Sequence, residues 1–246
     1  MEIQGLAFLP ILFVTWTLLG LCAGIAITVI LGHSKLPYIS TIGEQFPESV
    51  VFTVVFMVTS ILGAGVASIQ YKFMILHSEP SEKRNIICQK ILYAMGWLAC
   101  IANAVTGVCT MKISPIAHSI GAGTGFFFFA VYNLSQAICL YKKSFSSRRL
   151  CHIRLASTLV TIVALLICIL LYLAVDVAVG FFRLCTTDHC KEIFSMTGMV
   201  SEWMGFFGLT IFPIMYYTDF QRLSLMLSRE GVSIILRQKT QDPENP

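Results

Sequence analysis

Charge is what this 246-residue sequence has least of. Asp, Glu, Lys and Arg together supply 12% of it, about half the share of an ordinary soluble domain. Apolar residues supply 56%, and the mean hydropathy is +0.78. Lipid is therefore the solvent expected around most of the surface. Long polar stretches are missing as well. The longest joint between apolar runs, 32–49, and the segment after residue 220 are both too short to bury a core of their own. No soluble domain is expected. The start Met1-Glu2-Ile3-Gln4-Gly5 has no Lys or Arg, so the first apolar run reads as a retained span and not a cleaved signal peptide.

Catalytic signatures are also lacking. The sequence has no phosphate-cradling Gly-Lys-Ser/Thr loop, no His-Glu-x-x-His and no Gly-x-Ser-x-Gly, and so it does not read as an enzyme. No cofactor is expected. Asn133-Leu134-Ser135 fits a glycosylation sequon, but it falls in the middle of an apolar run, out of the transferase's reach.

What is present is a series of apolar runs at 6–31, 50–76, 86–111, 113–141, 153–182 and 193–217. A helix needs roughly 20 apolar residues to cross about 30 Å of hydrocarbon, and each run is long enough. A spanning β-barrel would alternate apolar and polar residues. Here 126–129 and 165–173 are unbroken apolar stretches. The fold expected is all-α: a polytopic bundle of six transmembrane helices over 1–220, followed by a short, partly mobile tail over 221–246.

Of the 17 Lys and Arg residues, only Lys35, Lys112, Arg183 and Lys191 fall on one side of this topology. The rest fall on the side that holds both termini, which the positive-inside rule makes cytosolic. Lys142, Lys143, Arg148 and Arg149 cluster in the joint between the fourth and fifth runs, a candidate contact for anionic lipid. With the net charge of +4 concentrated there, nucleic acid is not an expected partner.

Most of the nine cysteines sit within or at the edge of apolar runs and read as small hydrophobes. Cys185 and Cys190 share the last non-cytosolic joint and form a candidate disulfide, with two free thiols as the alternative. Cys185, His189 and Cys190 lack a fourth ligand, so no metal site is expected. Cys88 and Cys151 lie near the cytosolic face, where acylation is a candidate modification. Small residues recur at Gly63, Ala64, Gly65 and Ala67 and at Gly121 and Gly125. They permit close helix approach within one chain or, alternatively, in a homo-oligomer.

Ionisable groups inside a membrane cost roughly 2.5–3.5 kcal/mol at its centre on insertion scales, so each needs an explanation. Glu202 lies within the sixth run, where its carboxyl either stays protonated in an apolar site or pairs with a polar group on another helix such as Asn103 or Asn133. The alternative is a proton, ion or headgroup site. Asp176 lies near the end of the fifth run, as an interfacial residue or a functional one. His118 opens the fourth run and reads as a satisfied interfacial residue or a pH sensor. Tyr217-Thr218-Asp219-Phe220 fits a tyrosine sorting pattern, and Glu230 with Ile234-Ile235 approximates an acidic dileucine one.

Several of these segments together resemble one family. They are Pro37-Tyr38-Ile39-Ser40 with Gly43 and Pro47, His118 ahead of Gly121, His152 with Arg154, Glu202-Trp203, and Asp219-Phe220. In order and spacing they resemble the DNA damage-regulated autophagy modulators, within a wider group that includes the Frag1 and Sfk1 proteins. One departure is that the family usually carries Asn-Phe-Gln after the third helix, where this chain reads Gly107-Val108-Cys109-Thr110-Met111. The resemblance implies a lysosomal or endosomal multi-pass protein that promotes autophagy and, in some members, cell death, with no established catalytic reaction. It implies trafficking or autophagy proteins as partners. The alternatives are residence in the plasma membrane, a lipid-handling role in which Glu202 or Asp176 lines a lipid-sized cavity, and a channel subunit.

Overall fold

The computed structural model describes residues 5–35, 37–78, 83–143, 147–178 and 188–227, with the side chains of 172–178 and 188–191 excepted. Among these residues there are helices and no strands. In chain order they are α1 (Phe8–Ile30), a short α2 (Ile39–Ile42), α3 (Glu48–Leu76), α4 (Lys83–Val108), α5 (Pro115–Lys143), α6 (Arg148–Ala178) and α7 (Asp188–Ile211). Six helices are long and apolar enough to cross a membrane; α2 is not one of them. The protein is therefore a multi-pass helical membrane protein.

Their outward faces explain the composition. Leu19, Ile61, Ile120 and Leu170 are each at least 64% exposed, which water would penalise and hydrocarbon does not. Inside, several Ser and Thr hydroxyl groups are satisfied within their own helices. Thr17, Thr28, Ser60, Thr106 and Thr158 each donate to the carbonyl four residues back, at 2.7–2.9 Å. Such back-bonding lets a polar residue sit in a lipid-embedded helix without an orphaned donor.

The helix starts follow local chemistry. Ser114 precedes Pro115, whose missing N–H suits the first helical position, and Ser114 Oγ accepts from Ala117 N at 3.3 Å. Ser147 Oγ does the same for Leu150 N at the start of α6. Pro213 has the opposite effect. Lacking a donor, it breaks α7 into a 3₁₀ turn over Phe212–Tyr216, after which helix resumes to Leu227. Phe220 and Leu223 in that last stretch are buried with Phe73, Met74, Leu140, Phe212 and Tyr216 in one apolar cluster.

The small residues bring helices close within the chain. A Cβ added at Gly121 of α5 would stand 2.8 Å from Thr106 Oγ1 and 3.1 Å from the Ala102 carbonyl of α4. A Cβ at Gly107 of α4 would stand 2.4 Å from the Cβ of Phe56 in α3, whereas one at Gly123 would meet nothing within 4 Å. Overpacking of this kind costs about 1–3 kcal/mol. Gly107→Ala is therefore expected to lower the melting temperature of the detergent-solubilised protein, and Gly123→Ala to leave it unchanged. A scan of intrinsic fluorescence against temperature measures both.

Candidate functional site: two clamps on the last helical hairpin

Two clusters of polar residues sit at opposite ends of the bundle, the first partly buried and the second fully so. At the end carrying the α1–α3 joint, the carboxylate of Glu202 from α7 receives the backbone N–H groups of Ile39 at 3.0 Å and Ser40 at 3.3 Å. These amides open α2, and the first amides of a helix have no partner within it. Next to Glu202, Trp203 Nε1 donates to the Pro37 carbonyl at 3.1 Å. The Tyr38 hydroxyl donates to the Ser195 carbonyl at 2.5 Å and lies 3.1 Å from Ser195 Oγ. Four consecutive residues of the loop, Pro37 to Ser40, are thus tied to α7 through side-chain or backbone groups. The loop's other flank is tied to α3 by a contact between His33 Nδ1 and the buried carboxylate of Glu48.

This arrangement corrects the expected partner of Glu202. Its acceptors are used by backbone donors, not by an amide side chain. Asn103 instead donates to Ser60 Oγ at 2.9 Å and to the Phe56 carbonyl at 3.3 Å. The unwound backbone of a loop leaves free N–H groups, and a carboxylate is the strongest acceptor available to them.

The second clamp stands at the other end. Arg154 of α6 and Asp219 after the 3₁₀ turn are both fully buried, and Arg154 Nη2 lies 2.6 Å from Asp219 Oδ2. The same nitrogen donates to the Met215 carbonyl, inside the turn that Pro213 imposes. The guanidinium also lies over the Tyr216 ring, 5.6 Å from its centroid, and Phe220 stacks on Tyr216 at 5.9 Å. The charges are thereby matched, and a carbonyl within the helix break gains a donor.

The remaining candidate residues take simpler places. His118 is buried, with Nδ1 3.1 Å from the Thr106 carbonyl and 3.0 Å from that of Cys109, closing the end of α4. The departure at Gly107 lies in this same corner, where the Gly107 carbonyl accepts from Thr53 Oγ1 at 2.8 Å. Gly43 leaves room for Phe52, which an added Cβ would approach to 2.8 Å. Pro47 directly precedes α3. His152 is exposed, its ring 5.5 Å from that of Tyr141. Lys142, Arg148 and Arg149 are exposed, whereas Lys143 Nζ donates to Ser78 Oγ at 2.7 Å. Cys151 is buried and Cys88 exposed, which leaves Cys88 the more accessible thiol of the two. Phe220 is fully buried, so the Tyr217–Phe220 pattern is not displayed to an adaptor. Cys185 and the side chains of Asp176 and Cys190 lie outside the described residues. Among the described residues, no three His, Cys, Asp or Glu side chains group to hold a metal ion.

Ser195, Met215, His33 and Ser78 carry no signal in the sequence. Ser195 and Met215 take part through backbone carbonyls, and Tyr38 reaches Ser195 across 157 positions.

A six-span helical membrane protein, its first loop and broken last helix each held by an ionisable residue, is the class of molecule these features define. The chain belongs to the Frag1/DRAM/Sfk1 family: the family profile described as the Frag1/DRAM/Sfk1/Cwh43P N-terminal domain matches residues 5–223. It is 28% identical over 233 residues to DNA damage-regulated autophagy modulator protein 1 of Xenopus laevis, covering 93% of this chain and 96% of that one. The Homo sapiens protein of that name is 25% identical over 232 residues, with the same coverage. DNA damage-regulated autophagy modulator protein 2 of Rattus norvegicus is 25% identical over 232 residues, covering 90% and 86%. No solved structure matches the chain.

Each clamp has a measurable consequence. Removing one member of a buried ion pair strands the other and costs about 3–5 kcal/mol. Arg154→Met or Asp219→Leu alone is expected to destabilise the protein strongly, and the double substitution to recover much of the loss, as read by thermal denaturation of all three variants. At the other clamp, Glu202→Leu removes both acceptors. Hydrogen exchange at the Ile39 and Ser40 amides is expected to accelerate, while exchange within α4 stays at the wild-type rate.

Proposed function

We propose that this chain is a lysosomal or endosomal multi-pass protein that modulates autophagy through membrane and protein contacts, without catalysis. The observation that carries this reading is the use made of the ionisable residues within its last two spans. Glu202 is engaged by backbone amides and Arg154 by Asp219 and a carbonyl, so both hold structure in place. The names of the relatives supply the process, and two-clamp geometry supplies a rigid, shaped loop for contact. On this reading both termini face the cytosol. The exposed Lys72, Lys83, Arg84, Lys90, Lys142, Arg148 and Arg149 then meet anionic headgroups or a trafficking partner, and the 37–43 loop faces the organelle interior. A homo-oligomer is compatible with it.

Lipid handling is the less supported reading. Among the described residues, two of the cavities in the bundle measure about 20 and 40 Å³, and Glu202 lines neither. Their volumes suit a few water molecules, not an acyl chain.

The test is to tag the endogenous protein, compare it with lysosomal and plasma-membrane markers, and follow autophagic flux after knockout. Co-localisation with the lysosomal marker and a fall in flux are expected. Plasma-membrane residence with unchanged flux would overturn the proposal. Substituting Lys142, Lys143, Arg148 and Arg149 together by Gln is expected to weaken sedimentation of the purified protein's isolated 142–154 peptide with phosphatidylserine vesicles, increasingly so at low salt.

A further inference from the structure

We propose that the centre of the bundle is a built water site, with Tyr132 and Tyr216 as its polar anchors. Tyr132 of α5 is 4% exposed and Tyr216 of the 3₁₀ turn 1%. Neither hydroxyl has a hydrogen-bond partner, nor does Gln136 Oε1. These groups are nevertheless close enough to influence one another electrostatically, Tyr132 with Tyr216 and Tyr132 with Gln136. Buried polar groups that stand close together without a well-formed direct hydrogen bond, in a protein surrounded by hydrocarbon, have one solvent that satisfies them: a bridging water.

There is room for it. Both tyrosines and Asn133 line the cavity of about 20 Å³, whose other walls include Gly63 and Ala67 of α3 and Gly96 of α4. One water needs about 10–15 Å³ measured this way, and two to four polar partners. The small residues make the space. A Cβ at Gly96 would come within 3.1 Å of Ala67 Cβ and 3.3 Å of the Tyr132 ring.

A second cavity of about 40 Å³, lined by Thr59, Asn103, Thr106 and Thr210, shares Phe13, Phe129 and Leu209 with the first. Those three apolar side chains are shared by two chambers whose mainly apolar walls each carry a few polar groups. The water site therefore has a neighbour of the same character on the far side of an apolar collar. An apolar molecule would leave the hydroxyls unpaired, and an ion finds no charged side chain in either lining. Water is the ligand that fits both.

Radiolytic hydroxyl labelling tests this, because bound water is activated in place and oxidises the side chains it touches. The full-length protein in lipid nanodiscs is exposed to a millisecond X-ray pulse and digested for mass spectrometry. Tyr132 and Tyr216 are expected to be oxidised severalfold faster than Phe73, which is 1% exposed and lines neither cavity and so serves as the dry control. Ala67→Val, which fills the cavity, is expected to slow labelling of both tyrosines while that of exposed Tyr141 stays the same. Rates at Tyr132 and Tyr216 no higher than at Phe73 would overturn the proposal, and the wild-type protein alone decides that. Rates that persist in a folded Ala67→Val protein would overturn it too, since they would show attack from bulk solvent.

Discussion

Hydrocarbon offers no hydrogen-bond partner, and this organises the molecule more than any single contact. Apolar side chains face outward freely, so the hydrophobic effect does not decide which helix faces lie inside. Close approach at small residues and the pairing of polar groups decide it instead. The glycines of α4 and α5 let backbones meet, hydroxyls fold back onto their own helices, and the few charges find partners. Wherever the backbone departs from helix, at the α2 loop and at the Pro213 break, an ionisable side chain takes up the groups that the departure leaves open.

Both clamps act on the hairpin of α6 and α7. Arg154 joins its first arm to the continuation of its second, and Glu202 fastens the second arm to the first loop, far away in the sequence. The two are not equivalent. Arg154 and Asp219 neutralise one another in full burial, whereas Glu202 is matched only by dipoles of backbone amides. The first is a matched ion pair that resists separation, and the second a charge held by the geometry of a loop.

Much of the fold was legible from the sequence because long apolar runs leave few choices in a membrane. Six spans, the start of α5 at Ser114-Pro115 and the close approach at Gly121 all follow from local residue types. The clamps were half legible. Glu202 and Arg154 stand out as charges amid apolar neighbours, but their partners do not. Glu202 bonds to main-chain amides, which every residue possesses, and so no side-chain pattern announces them. The helical continuation past the 3₁₀ turn was hidden for a related reason. Asp219 and Arg222 read as a polar exit from the membrane, yet Phe220 and Leu223 on the other face are buried.

The ties between Tyr38 and Ser195 and between Ile39 and Glu202 span 157 and 163 positions. Their second half is made only after α3, α4, α5 and α6 have been synthesised. Through that interval the first loop must therefore wait with its amides solvated by water or held by an assisting factor. Closure of that loop reports that α7 has arrived in place, which makes it a structural sign that the hairpin has joined the bundle.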